Sequence, residues 1–355
     1  MKAAPKKILV IRSSAMGDVA MTAPVLAQVA AAYPEVEIIL LTRRFYEPFF
    51  DGIDRLTIHN INIDQGQAHR GIKGLVRLYR ELRRCCPGVE MVIDLQDKIY
   101  SKLLRKFYRL AGVKTFHIDK GRVEKKHLTA VPGKGKVMRQ LRTSIDRYAD
   151  VFREAGFELG TVPAALSFYR RERTVPAGLG FSKAVGEVWI GIAPFAQHQG
   201  KVYPLEKMQE VMRMAGERWA SARMFIFGGG EEERRLAELA VAEDVSGRAV
   251  SVVGRFGLRE EMDLMANLDL MVSMDSSAMH MASLVGVPVV SVWGATHPYA
   301  GFLGLGQAME DAVGLELDCR PCSVYGHKVC WRGDYACMND LAPEAVFERM
   351  VRRLG

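Results

Sequence analysis

The strongest constraint on the fold lies in residues 268–298, LDLMVSMDSSAMHMASLVGVPVVSVWGATHP. An apolar run at 270–274 ends in Asp275-Ser276-Ser277, a helically periodic segment at 279–285 stops at Gly286 and Pro288, and a β-branched run at 289–293 empties into Gly294-Ala295-Thr296. That order spells strand, turn, helix, strand, turn. Asp275, Ser276 and Ser277 are good N-cap residues, so the helix after them aims unpaired N–H groups and its positive dipole end at whatever sits above the sheet. Such a place suits a phosphate. An ordinary capped helix with no ligand uses the same residue types, so both readings stay open on this stretch alone.

With 355 residues the chain has room for two domains, each with its own core. No run approaches the ~18 to 20 uncharged apolar residues of a spanning helix, and Lys6-Lys7 lead straight into the short apolar run 8–11. The expectation is a chain without a signal peptide, located in the cytoplasm. The net charge of +8 is uneven: residues 70–126 carry 16 Lys and Arg against 6 Asp and Glu. Such an excess attracts an anionic macromolecule or a membrane surface, and helices with cationic solvent faces explain it equally. Nucleic acid is the less fitting partner, because the aromatics form no stacking platform and no known nucleic-acid signature is present.

In chain order, the apolar run Ile8–Ile11 reads as a strand buried on both faces, followed by the loop Ser13-Ser14-Ala15-Met16-Gly17-Asp18 and a helix over 19–33, with Pro24 near its first turn or at a kink. That places Asp18 at the carboxyl edge of a sheet, where open α/β folds keep their ligands. G-x-G-x-x-G is absent, which argues against NAD. Strands are expected at 36–42, 56–61, 91–95 and 114–118, with helices at 71–84 and 98–110 between them, the alternation of a doubly wound domain. Residues 121–136 read as a basic loop and 138–155 as a helix. A Pro- and Gly-containing crossover over 156–186 precedes the same grammar again. In this second half a strand at 188–193 leads to a loop with His198, then Lys201-Val202-Tyr203-Pro204 and a helix at 205–219. A strand at 223–227 ends in Gly228-Gly229-Gly230, with Glu231-Glu232-Glu233 opening the next helix. The glycines permit close approach of a ligand; the acidic trio also offsets a helix dipole by itself.

Three blocks together resemble glycosyltransferase family 9, the heptosyltransferases of lipopolysaccharide inner-core assembly. They are Ile11-Arg-Ser-Ser-Ala-Met-Gly-Asp18 with Thr22-Ala-Pro24, Lys201-Val-Tyr-Pro204, and Asp275-Ser-Ser-Ala-Met-His280 with Trp293-Gly-Ala-Thr296. The resemblance implies a GT-B architecture of two Rossmann-like domains facing across a cleft: an acceptor domain over 1–160, a linker over 161–186, a nucleotide-sugar domain over 187–340 and a C-terminal helix over 341–355. It implies an inverting, metal-independent transferase with ADP-heptose as donor and an anionic, lipid-linked acceptor, Kdo-lipid A or a heptosylated form. Peripheral contact with the cytoplasmic face of the inner membrane would follow. Asp18 becomes the general base, with Ser13, Ser14, Met16 and Gly17 forming the acceptor-side loop. Lys201, Ser276, Ser277, Ala278 and His280 fall to the donor diphosphate, a task for which a compact cation and helix N–H groups are suited. Asp275, Glu232, Glu233, Gly228 and Thr296 fall to the donor sugar or nucleotide. The chain departs from the family pattern at Tyr203, where Trp is usual, and at Ser277, where Gly is frequent.

The alternatives are a GT-B transferase or epimerase using another nucleotide sugar, and a non-catalytic protein that binds nucleotide sugars or polyanions. The scheme needs no metal cofactor, since no Asp-x-Asp motif is present to hold Mg²⁺ on a diphosphate. Separately, Cys319, Cys322, Cys330 and Cys337 have spacings compatible with a structural zinc site, and equally with free thiols or a disulfide pair. Cys85 and Cys86 read as plain thiols. The oligomeric state is not legible.

Overall fold

The structure, a computed structural model, describes residues 5–64, 66–163, 174–244 and 246–355. They divide into two compact units: the described residues within Met1–Lys120 and Ser144–Tyr169, and those within Gly121–Thr143 and Arg170–Gly355. Residues 121–143, expected in the N-terminal domain, thus group with the second unit. Part of the expected linker, 164–173, lies outside the described residues.

The first unit is built on five parallel strands in the order β3-β2-β1-β4-β5: β1 (Lys7–Ile11), β2 (Glu37–Thr42), β3 (Leu56–Asn60), β4 (Met91–Asp94) and β5 (Lys114–His117). Parallel strands with both faces covered read as unbroken apolar runs, and Ile8 to Ile11 are fully buried. The chain winds outward from β1 in both directions. The crevice at the carboxyl ends of β1 and β4 is therefore the topological switch point, where the loops that follow them diverge.

The expected helix over 19–33 is two helices, α1 (Met16–Ala20) and α2 (Ala23–Ala32). Pro24 occupies the first turn of α2, where its missing N–H costs nothing, and the chain breaks just before it. Helices α3 (Gly71–Cys85) and α4 (Ile99–Leu110) cover one face of the sheet. The expected basic loop contains α5 (Arg122–Leu128), and the expected helix over 138–155 narrows to α6 (Ser144–Glu154). Leu128 and Leu141 pack with Ala300, Tyr299 and Phe302, which explains why this stretch belongs to the second unit.

That unit has six parallel strands in the order β11-β10-β9-β6-β7-β8. They are β6 (Val188–Ala193), β7 (Ala222–Ile226), β8 (Ala249–Ser251), β9 (Leu270–Met274), β10 (Val289–Val292) and β11 (Ala312–Val313). Its helices are α7 (Leu205–Arg218), α8 (Glu231–Ala242), α9 (Leu258–Met265), α10 (Ser277–Leu284), α11 (Ala336–Asn339) and α12 (Pro343–Leu354). The switch point here lies between β6 and β9. Helix α12 is no appendage: Val346 and Met350 are fully buried in the same core as β9 and β10.

Tyr203 is fully buried and its hydroxyl donates to the Leu341 carbonyl at 3.0 Å, tying the loop after β6 to the entry of α12. A tryptophan has no hydroxyl to make this bond. Tyr203→Phe is expected to cost about 1 kcal/mol, the net worth of one buried hydrogen bond plus the orphaned carbonyl. A urea titration checks it, and an unchanged midpoint would remove the bond from the stability account.

Candidate functional site

In the first unit the switch point gathers the residues of the 13–18 loop around one carboxylate. Arg12, buried at the end of β1, places Nη2 2.5 Å from Asp18 Oδ2, and its Nη1 donates to the Leu95 carbonyl at the end of β4. The Tyr148 hydroxyl, from α6, donates to Asp18 Oδ1 at 3.2 Å, and the Arg12 guanidinium lies 5.3 Å from the Tyr148 ring centroid. Asp18 is thus gripped on both oxygens, yet its side chain keeps 32% exposure, enough for a substrate hydroxyl to reach it. Burial alone would lower the Arg12 pKa; the Asp18 carboxylate beside it overrides this and leaves it raised.

Ser13 and Ser14 hold the loop in place. Their N–H groups donate to Gln96 Oε1 at 2.9 and 3.1 Å, the Ser13 and Tyr100 hydroxyls are 2.6 Å apart, and Lys98 Nζ donates to Ser14 Oγ at 3.0 Å. Met16 is half-exposed at the start of α1 and Gly17 is buried. Beneath this, buried Asp94 accepts from the Gln96 and Asp97 N–H groups at 2.9 Å each, and its other oxygen meets Arg105 Nε at 2.9 Å. The loop after β4 is therefore pinned at both ends. Lys98 has its pKa lowered, first by burial and then by repulsion from Arg12, with Asp18 opposing. A carboxylate fixed by a guanidinium and flanked by an ammonium is equipped to accept a proton from a hydroxyl on an anionic molecule.

Arg12, Gln96, Lys98 and Tyr148 are the residues missed in the sequence. Arg12 stood in the matching block without a role. Lys98 opens a helix just after a strand, a detectable signal; Tyr148, 130 positions from Asp18, gives none locally.

In the second unit the switch point holds another ion pair. Lys201, on the turn after β6, places Nζ 2.9 Å from Asp275 Oδ2 and donates to the Asp275 carbonyl at 3.0 Å, so it bridges the ends of β6 and β9. The Ala295 N–H donates to the Gly200 carbonyl at 2.8 Å, bringing the end of β10 to the same place. Gly326 lies along the lysine: a Cβ there would sit 2.6 Å from Lys201 Cγ, so this position requires glycine. His198 faces His327 with ring centroids 6.1 Å apart, and its pKa is lowered by burial, then by Lys201 and His327.

Ser276 is the N-cap of α10 but makes no side-chain cap; its Oγ pairs with Ser273 Oγ at 3.2 Å. The expected capping bond is absent, and Ser276, Ser277, Ala278 and His280 are half-exposed around the helix start. The first-turn N–H groups of a helix have no intrahelical acceptor, so this end offers donors to an anion.

The acidic trio is engaged locally. Glu231 pairs with Arg234 and Glu232 with Arg235, each one turn along α8, while Glu233 accepts from the Gly229 N–H at 2.7 Å. Gly228 lies against the Phe195 ring and the Glu233 carboxylate, which leaves no room for a Cβ. Thr296 is fully buried.

For the four C-terminal cysteines, whose spacing is compatible with a structural zinc site, free thiols or a disulfide pair, no three His, Cys, Asp or Glu side chains among the described residues are placed to hold a metal ion. All six cysteines are free thiols. Cys319, Cys322, Cys330 and Cys337 line one small cavity beside Arg320 and Trp331. Burial raises the Cys322 pKa and pushes that of Cys337 up to about 11.

Residues 75–330 match the model of glycosyltransferase family 9 (heptosyltransferase). The chain is 23% identical over 331 residues to lipopolysaccharide heptosyltransferase 1 of Pseudomonas aeruginosa, covering 89% of this chain and 86% of that one. With lipooligosaccharide heptosyltransferase 2 of Campylobacter jejuni it is 25% identical over 134 residues, 37% of this chain and 41% of that protein. The solved structure of E. coli heptosyltransferase WaaC with ADP-2-deoxy-2-fluoro heptose matches 98% of this chain and 99% of its own, with a TM-score of 0.66 and 15% identity. The α/β fold with two parallel sheets is the fold of these GT-B heptosyltransferases.

Proposed function

The chain belongs to glycosyltransferase family 9, the heptosyltransferase family, and on that premise we propose that it moves a heptose from ADP-heptose onto Kdo-lipid A or a heptosylated inner core, with inversion at the anomeric carbon. The observation that carries this reading is the Asp18 carboxylate, held by Arg12 and Tyr148 and still accessible. Asp18 takes the proton of the acceptor hydroxyl, the oxygen forms its bond to the anomeric carbon, and the bond to the diphosphate breaks, so that ADP leaves with the electron pair. Lys98 and Arg12 supply positive charge suited to the Kdo and phosphate groups of the acceptor.

The leaving group falls to the second unit. The Lys201 ammonium has three donors; Asp275 accepts two of them, and the third serves a phosphate oxygen together with the N–H groups of Ser277 and Ala278. Lysine and helix dipole do this electrostatic work, which makes the scheme metal-independent. We assign His280, one turn into α10, to the diphosphate, and Glu233 rather than Glu232 to a ribose hydroxyl because it folds back on the glycine loop. The donor assignment is supported by the ADP-heptose analogue named with the E. coli structure, and the acceptor by the lipopolysaccharide role named for the relatives. The reaction takes place at the cytoplasmic face of the inner membrane, where the protein is peripheral.

Calorimetry with ADP-heptose, ADP and UDP tests the donor. Adenine-selective binding is expected; selective binding of UDP would transfer the proposal to another nucleotide sugar. Binding of ADP-heptose with no turnover over a panel of Kdo-bearing acceptors would favour a binding protein instead.

A further inference from the structure

The outer face of α3 and α4 is one-sided in charge. Both helices bury an apolar stripe in one core, Leu75, Leu78 and Leu82 from α3 with Leu104 and Tyr108 from α4, and Tyr79 packs on Phe107 and Tyr108 at centroid distances of 5.6 and 5.1 Å. This contact fixes them side by side, so their outward stripes form one surface. On α3, Lys73, Arg77, Arg80 and Arg84 recur at helical spacing, and on α4 so do Lys102, Lys106 and Arg109; all are exposed. Glu81 is the one acidic residue in the two helices, and His69 holds it at 2.9 Å. Arg105 is turned inward onto Asp94 and Asp97.

Set among these cations are three large apolar side chains facing water: Ile72 at 70%, Ile99 at 80% and Leu110 at 78% exposure. Burial of apolar side chains below a plane of lysines and arginines is the pattern of a surface that rests on lipid headgroups. The aromatics that would stack on nucleic-acid bases, Tyr79, Phe107 and Tyr108, are packed inward instead.

We infer that the α3–α4 face docks the protein on an anionic phospholipid bilayer. The charge complementarity of cationic stripes and phosphate headgroups selects this occupant. The location agrees: Ile99 lies between Lys98, bonded to Ser14, and Tyr100, bonded to Ser13, so the face runs up to the loop that carries Asp18. Docking there would bring the base to the surface on which a lipid-linked acceptor presents its sugar, a consequence that rests on the proposed transferase reading.

Co-sedimentation of the full chain with vesicles of phosphatidylcholine, alone or with about one third phosphatidylglycerol, tests the inference without any donor or acceptor. The wild type is expected to partition at least about tenfold more strongly onto the anionic vesicles, and to be released by high salt. Arg77→Glu/Arg80→Glu/Lys106→Glu should abolish the preference, Arg77→Lys/Arg80→Lys should keep it, and Ile99→Asp should weaken it at low salt. ADP-heptose binding, read in parallel, reports that each variant is folded. Equal partition onto both vesicle types, wild-type binding by the triple variant, or displacement of bound protein by a DNA oligonucleotide at equal phosphate concentration would overturn the assignment. Absence of vesicle binding in a protein that turns over ADP-heptose would do the same and leave the transferase reading standing.

Discussion

Asp18→Asn is expected to lower kcat for sugar transfer by about two orders of magnitude or more, the usual contribution of a positioned general base, while leaving the affinity for ADP-heptose unchanged. The amide keeps the shape of the carboxylate: its oxygen can accept from Arg12 while its NH2 donates to the Tyr148 hydroxyl, which can rotate to accept, so the loop geometry survives. What it loses is the ability to take a proton. Stability must be followed separately, because Arg12 is buried and Asp18 is its counter-ion at 2.5 Å. Removing one partner of a buried pair leaves an uncompensated charge, and the full cost of about 3 to 5 kcal/mol is softened here by the exposed side of Asp18 and by the bond from Arg12 to the Leu95 carbonyl.

Two controls keep the effects apart. Tyr148→Phe removes the hydroxyl's contact with Asp18 at 3.2 Å, so it should reduce kcat modestly with little thermal shift. A kcat of Asp18→Asn within about threefold of the wild type, on protein whose melting confirms folding, would take Asp18 out of the chemistry. It would then stand as the counter-ion of Arg12 and no more.

The place of Asp18 at the carboxyl edge of the sheet was legible because the loop that carries it is contiguous with β1. The strands were legible for a related reason: a parallel strand covered on both faces leaves an apolar run that no surface periodicity disguises. Arg12, Gln96, Lys98 and Tyr148 were not, because the crevice between β1 and β4 is assembled from distant segments, and only the strand order makes them neighbours. Helix α5 was hidden by its own composition. Its basic residues and flanking glycines mimic a loop, and what stabilises it is the packing of Leu128 near Ala300, a tertiary contact.

In the second unit Lys201→Ala is expected to weaken ADP binding by about ten- to a hundredfold, the worth of a charge-assisted hydrogen bond to phosphate, and to reduce turnover further as charge grows on the leaving diphosphate. The same change strands Asp275, which is 4% exposed and whose carboxylate meets Lys201 at 2.9 Å. A fall in stability is therefore expected in the single variant, and by itself it would confuse the reading of the binding loss. Lys201→Ala/Asp275→Asn separates the two. Neutralising the stranded carboxylate should return most of the lost stability, but it supplies no cation, so ADP affinity should stay low. If affinity returns with stability, Lys201 acts only by neutralising Asp275 and shaping the turn, and the N–H groups of α10 bind the diphosphate unaided. If ADP binds Lys201→Ala as tightly as the wild type, neither the lysine nor its ion pair belongs to the donor site.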